Sequence, residues 1–509
     1  MTPTRNRPAS LNGAWWAFLG SVALLAVLVA LLAWDPARWF TADQRKEPLV
    51  VYCAAGLKAP VEEVARQYEA EYGVPVRLQY GGSQTLLVNL EVSKRGDLYL
   101  PADDWYIEAA RDKGLIDETI PLAGMTPVLA VRPGNPKGLR SLDDLLKDGV
   151  RLAQANPDAA AIGKVTRDTL GKVGKWDAVK ARTTVFKPTV NDVANDVKVG
   201  AVDAGIVWDA TVRQYDGLEM VRLPEFDGVQ ASISVAVLRC THQPTAALRF
   251  ARYLTARDRG LPVVERGGFT VVEGDPWAEE PELRLFAGAM LRPAIDETIS
   301  VFERREGVKV VRVYNGCGIL VAQMRAGERP DAYFACDRSF MTQVGDLFQP
   351  PTEVSTNRLV ILVKKGNPHG IRTLNDLGKP GLKVGVGHEK QCAMGALTQE
   401  ALKKSGVAEA VMKNVKVQSP TGDMLVNQLR TGSLDAVVAY VSNAAAAADE
   451  LEAIAIDVPC ALAVQPFAVG KGSEHKQLTA RLLAAIRSRE SRERFEANGF
   501  HWQASGKQK

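Results

Sequence analysis

The sequence predicts an α/β protein built as two tandem domains behind an N-terminal transmembrane helix. Three observations predict this. One block of the chain repeats itself at an almost constant offset. Each copy alternates strand-like and helix-like segments. An uncharged run of 21 residues lies near the N-terminus.

The apolar run comes first. Ala14 to Trp34 reads AWWAFLGSVALLAVLVALLAW, without a charge. That length spans a bilayer core as a helix. Arg5 and Arg7 precede it, and Trp15, Trp16 and Trp34 sit near its ends as interfacial anchors. The adjoining WDPARWF is a poor signal-peptidase site. Residues 1–46 are therefore expected to form a cytoplasmic stub, an uncleaved anchor in the lipid bilayer (14–34) and a short linker. The rest of the chain is expected to lie in the periplasm or outside the cell.

The repeat organises the remainder of the chain. Leu49 pairs with Leu283, Leu57 with Leu291, Gly73 with Gly307 and Asp97 with Asp331, each pair 234 residues apart. Further on the offset is 232, pairing Gly134-Asn135-Pro136 with Gly366-Asn367-Pro368, Gly163 with Gly395, Pro188 with Pro420 and Gly200 with Gly432. A period this long marks a duplicated domain, not a solenoid. The expected domains are 47–275 and 283–509, joined by a linker at 276–282.

Within copy one, PLVVYCA reads as a strand and APVEEVARQYEAEYG as an amphipathic helix stopped by Gly73. VPVRLQYGG is a strand, SQTLLVNLEVSKRG a helix and DLYLPAD a strand; MTPVLAVRPGN, VRLAQAN and the apolar DAGIVWDA are later strands. This alternation predicts a mainly parallel sheet. Ligands of such sheets bind at the carboxyl ends of strands, where CAAG, YGGS and PAD fall. Free N–H groups at helix starts favour an anion there, small residues let it approach, and Ser83 adds a hydroxyl. Each feature taken alone has a plainer reading, as a turn glycine or a helix cap; the joint placement on successive strands, twice, favours a site.

Composition excludes several alternatives. Apolar and charged fractions (46% and 24%) are ordinary, net charge is +4, and no basic block suggests nucleic acid. HExxH, GxSxG and GxxxxGK[ST] are absent. No cofactor and no catalytic group is expected. The six cysteines permit disulfides and specify none.

Copy one, with AAGL (54–57), GVPV (73–76), SQTL (83–86), GDLYLPAD (96–103), NPDAAAIG (156–163) and GIVWDA (205–210), resembles the periplasmic molybdate- and tungstate-binding proteins of ABC transporters. The resemblance covers 48–272 and, more loosely, 283–500. It implies a two-lobed type II periplasmic-binding-protein fold in each copy, a tetrahedral oxyanion as ligand and an ABC permease in the membrane as partner. Carried over by position, the oxyanion residues of copy one are Gly56, Ser83, Ala102, Ile162, Val190 and Trp208. Gly56 stands where the family has a serine, and Trp208 where it has a tyrosine. The same positions of copy two are Met290, Cys317, Cys336, Met394, Gly422 and Tyr440, with His388 and Cys392 nearby.

Copy two leaves three readings open: a disulfide between Cys317 and Cys336, small buried thiols around a weakened oxyanion site, or a soft-metal set of Cys317, Cys336, Cys392 and Met290. A degenerate structural module is a further alternative for this copy, and the ligand of copy one could be another small anion. A cysteine enzyme using Cys317 or Cys392 with His388 is the rival from another class, and it lacks a third orienting group.

Overall fold

The computed structural model describes residues 47–445 and 447–503. The expected anchor at 14–34 lies outside them. Among the described residues no helix is long and apolar enough to cross a membrane.

Copy one folds into two lobes, each around its own sheet. The first holds β1 (Leu49–Ala54), β2 (Val76–Gly81), β3 (Leu98–Leu100), β4 (Ile116–Met125), β10 (Ala231–Leu238) and β11 (Thr270–Val271), in the order β11-β4-β10-β3-β1-β2. The second holds β5 (Pro127–Val131), β6 (Leu152–Ala155), β7 (Thr183–Lys187), β8 (Ala204–Trp208) and β9 (Glu219–Val221), in the order β7-β6-β8-β5-β9.

The strands that carry the site loops are parallel: β1 with β2 and β3, and β6 with β7 and β8. The sheets as wholes are mixed, which corrects the expectation of mainly parallel ones. β10 runs antiparallel to β3 and β4, and β5 antiparallel to β8 and β9. The chain leaves the first lobe through β4 and returns through β10, and a leaving strand and a returning strand must oppose each other.

Copy two repeats the arrangement with one difference. Its strands β12 (Glu282–Gly288), β13 (Lys309–Asn315), β14 (Ala332–Phe334), β16 (Val384–Gly387) and β17 (Val415–Ser419) take the places of β1, β2, β3, β6 and β7. In copy one, β4 and β5 are separate strands, broken at Thr126, whose N–H and C=O both bond to Asp209. Their counterpart is one continuous strand, β15 (Thr352–Lys364). It pairs with β18 (Ala436–Tyr440), β19 (Leu451–Ala455), β20 (Leu462–Val469) and β21 (His501–Trp502), and so joins both lobes of copy two into one ten-stranded sheet.

Local chemistry is duplicated as well. The GNP turns place Asn135 and Asn367 at φ 45 and 44 after left-handed glycines. Each asparagine side chain closes the turn on the backbone four residues on, at Leu139 and Ile371. Asp97 and Asp331 accept the N–H of Val50 and Arg284 at 2.8 and 2.7 Å. The helix Lys58–Tyr72 ends at Gly73 (φ 64) and its counterpart Arg292–Glu306 at Gly307 (φ 64), since an αL stop favours glycine.

Candidate functional site: two clefts between lobes

In each copy the site sits where parallel strands end and helices begin. β1 runs into the turn Ala55–Leu57. β2 leads through Gly82 into the helix Ser83–Ser93. β6 leads to the helix Ala161–Lys172, and β7, through Thr189, to the helix Val190–Lys198. First-turn N–H groups have no acceptor inside their own helix, and the helix dipole makes this end positive.

All six carried-over positions of copy one, Gly56, Ser83, Ala102, Ile162, Val190 and Trp208, line a single cleft between the lobes. The lobes are closed, leaving about 10 Å³ of free volume. No charged side chain lines the cleft; Lys58, the nearest cation by sequence, is exposed and faces Glu62 and the Tyr80 ring. Closure brings backbone against backbone. Gln84 N–H donates to Ala159 O of the other lobe at 3.1 Å. A Cβ on Gly82 would stand 2.3 Å from Ala159 O and 2.8 Å from Pro188 O, so only glycine permits this approach.

Ser83 and Ala102 act as a pair. The Ser83 hydroxyl accepts the Ala102 N–H at 3.0 Å, and the Tyr99 hydroxyl donates to Ser83 O. The Ala102 amide is therefore already engaged, and Ala102 offers the cleft its methyl group. The Ser83 hydroxyl hydrogen stays available to a ligand. Gly56 faces Val190 and Trp208: a Cβ there would meet Val190 Cγ1 at 3.2 Å and Trp208 Cδ1 at 3.8 Å.

Two lining or neighbouring groups escaped the sequence reading. Thr189 caps its helix by accepting the Asp192 N–H, and that cap is its signal. Thr211 holds a buried hydroxyl without a partner, 3.9 Å from where a Gly56 Cβ would be. It sits inside the helix after Trp208, and nothing in its local sequence marks it.

In copy two, Met290, Cys336, Met394, Gly422 and Tyr440 line the corresponding cleft, with Cys392, Asn315 and Thr421. The cleft is again closed, with about 20 Å³ free, and the latch is repeated: Gly318 N–H donates to Gln391 O at 2.9 Å.

Cys317 is the position the structure does not bring to the lining. It is fully buried behind Cys336, and its sulfur accepts the Cys336 N–H at 3.0 Å. It thus takes over the role of Ser83. This corrects two expectations. All six cysteines are free thiols, so Cys317 and Cys336 form no disulfide. Cys317 also drops out of the proposed metal set, and among the described residues no three His, Cys, Asp or Glu side chains cluster as a metal site. Burial opposes ionisation of Cys317, yet the Cys336 thiol and N–H, with the Tyr333 hydroxyl, hold it below its ordinary value. Its hydrogen-bond partner Cys336 is pushed well up, by that bond and by burial.

The family model for bacterial extracellular solute-binding proteins matches residues 49–270 and again 283–501. The chain belongs to the bacterial extracellular solute-binding protein family.

It is a tandem duplicate of that family's domain and resembles its molybdate-binding members. The molybdate-binding protein ModA of Mycobacterium tuberculosis is 29% identical over 255 residues, covering 49% of this chain and 95% of that protein. ModA of Escherichia coli is 26% identical over 238 residues, covering 45% of this chain and 91% of that protein. Among solved structures, the periplasmic molybdate-binding protein of Azotobacter vinelandii matches 44% of this chain and 100% of its own, at 19% identity and a TM-score of 0.39.

A solute-binding protein is not an enzyme, and the surroundings of Cys392 agree. The Cys392 sulfur points at two carbonyl oxygens, His388 O and Ser419 O, each at 3.5 Å. The His388 ring instead accepts the Lys390 N–H through Nδ1. Burial pushes the Cys392 thiol up to about 11. A nucleophile needs a base on its thiol and a lowered value, and Cys392 has neither.

Proposed function

We propose that the chain is a membrane-anchored, extracytoplasmic receptor whose first domain binds a tetrahedral oxyanion of the molybdate and tungstate kind and hands it to an ABC permease. Residues 14–34 would hold it to the bilayer, with both domains outside the cytoplasm.

The carrying observation is the first cleft itself. Six positions from both lobes meet around a space lined by helix N-termini, a serine hydroxyl and small or apolar side chains, without one charged group. A dianion suits such a lining, because N–H and O–H groups donate to it and no carboxylate repels it. Relatives named as molybdate-binding proteins support the choice of anion. Lobe opening admits the ligand, and closure strips its water and surrounds it with donors from both sides. Sulfate shares the charge and shape, so discrimination would rest on cavity size.

Titration calorimetry of the detergent-solubilised full chain tests this. Molybdate and tungstate are expected to bind, with sulfate weaker. No heat with molybdate or tungstate would reject the ligand. Recovery of the full chain in the soluble fraction instead of the membrane would reject the anchor.

A further inference from the structure

The two clefts descend from one ancestor, so position-by-position differences show what the second has become. Where copy one has Gly56, Ala102, Ala160 and Ile162, copy two has Met290, Cys336, Cys392 and Met394, and all four line its cleft. Every exchange replaces a side chain without a heteroatom by one carrying sulfur. Sulfur residues scattered by drift would not converge on one lining.

Two compensating exchanges accompany them. Ala54 becomes Gly288 and Ala155 becomes Gly387. A Cβ on Gly288 would stand 2.1 Å from Cys336 Sγ; one on Gly387 would meet Gly395 N at 2.5 Å first and Cys392 Sγ at 2.9 Å. At Gly288 the backbone has been cleared where the Cys336 thiol sits. The Tyr440 hydroxyl, buried and without a partner, also borders this cleft.

We propose that the second cleft is a site for a soft monovalent metal ion of the Cu(I) class, held by the Cys336 and Cys392 sulfurs with Met290 and Met394 as thioether ligands. Thiolates and thioethers select such ions, and two thiolates suffice for them. The third thiol at hand, Cys317, is committed to the Cys336 N–H, and among the described residues no three His, Cys, Asp or Glu side chains form a zinc-type set. Binding is an exchange without redox: Cu⁺ and two thiols give a bis-thiolate complex of charge −1, and two protons leave to solvent. That complex is an anion. The helix starts at Cys317, Ala393 and Gly422, inherited from an anion cradle, face a negative centre again, and Tyr440 has a hydroxyl to donate to it.

The test is anaerobic competition between the detergent-solubilised full chain and bicinchoninate for Cu(I), with ascorbate as reductant. One equivalent is expected to move to the protein. C336S and C392S are each expected to weaken uptake by more than about 100-fold, since even groups supporting metal ligands are worth roughly 10–100-fold. Met394→Leu keeps the volume and both thiols; it is expected to melt as the parent does while binding copper more weakly. X-ray absorption should show sulfur-only coordination. Three results overturn the proposal: no copper taken up, uptake that survives the C336S/C392S double substitution, or a second molybdate equivalent removed by Gly316→Ala, at the counterpart of Gly82, where a Cβ would stand 2.4 Å from Gln391 O. Molybdate binding by the first cleft is read separately, so the two assignments fail independently.

Discussion

At the scale of single residues, the copies solve one packing problem in opposite ways. In copy one the small residue at the cleft is Gly56 and the larger one across from it is Val190. In copy two Met290 is the large one and Gly422 the small one. Gly422 is required, because a Cβ there would meet Asn443 Oδ1 at 2.3 Å, and Asn443 is tied to Tyr440 N–H and Asp423. Asn443 stands where copy one has Thr211. None of this coupling can be read from either residue alone. Cys317 makes the same point: its place in the alignment suggests a ligand, whereas its sulfur serves the Cys336 amide. Ser83→Ala should therefore leave the buried Ala102 N–H unpaired and cost about 1–3 kcal/mol. Ser83→Cys should recover most of it, as Cys317 does this work in copy two at 3.0 Å. Thermal unfolding of the full chain checks both, and equal melting of Ser83→Ala and the parent would refute the role.

At the scale of elements, much was legible. Strand–helix alternation, the stop at Gly73 and the placement of CAAG and YGGS at strand ends all come from periodicity and turn chemistry. The sheet directions were not legible, because β4 and β10 pair through the path of the chain between lobes, which leaves no local pattern. Closure was not legible either. Gly82 reads as an ordinary turn glycine, yet its φ of −70 lies within the range of any residue. What demands glycine is the carbonyl of Ala159 on the other lobe. Gly82→Ala should keep the lobes apart without disturbing either core. If that separation costs only about 1.4 kcal/mol, affinity for the anion falls tenfold. Calorimetry would read the loss and small-angle scattering the more open shape; unchanged affinity would mean that closure does not need this contact.

At the scale of the whole molecule, the two domains are joined by more than the linker. The helix Pro244–Leu254 of the first packs on Arg292–Glu306 of the second. Between them Glu306, 1% exposed, accepts from Arg481 Nε at 2.6 Å and from Arg252 Nη1 at 3.2 Å. Arg305 binds Asp117 and Glu118 across the same boundary, and Asp275 accepts the N–H groups of Gln477 and Leu478. In the sequence nothing in VFERREG marks Glu306 as buried, because its partners are distant: Arg481 in its own domain and Arg252 in the other. Burial alone would raise the Glu306 carboxyl, but Arg481 and Arg252 outweigh it and hold it below its ordinary range. The folded value is the lower one, so the contribution is complete above about 4.3, the unfolded carboxylate value, and fades as pH falls through the folded value. Docking is thus expected to hold at neutral pH and to loosen in acid. Glu306→Gln removes the charge that both guanidinium groups face, and breaking a buried pair from one side costs about 3–5 kcal/mol. The variant should show a lower melting temperature at pH 7, a weaker dependence on pH below about 4.3, and independent motion of the domains in small-angle scattering. A variant that scatters and melts as the parent does would mean that the domains are held by the linker and apolar contacts, with the arginine pair around Glu306 contributing nothing to docking.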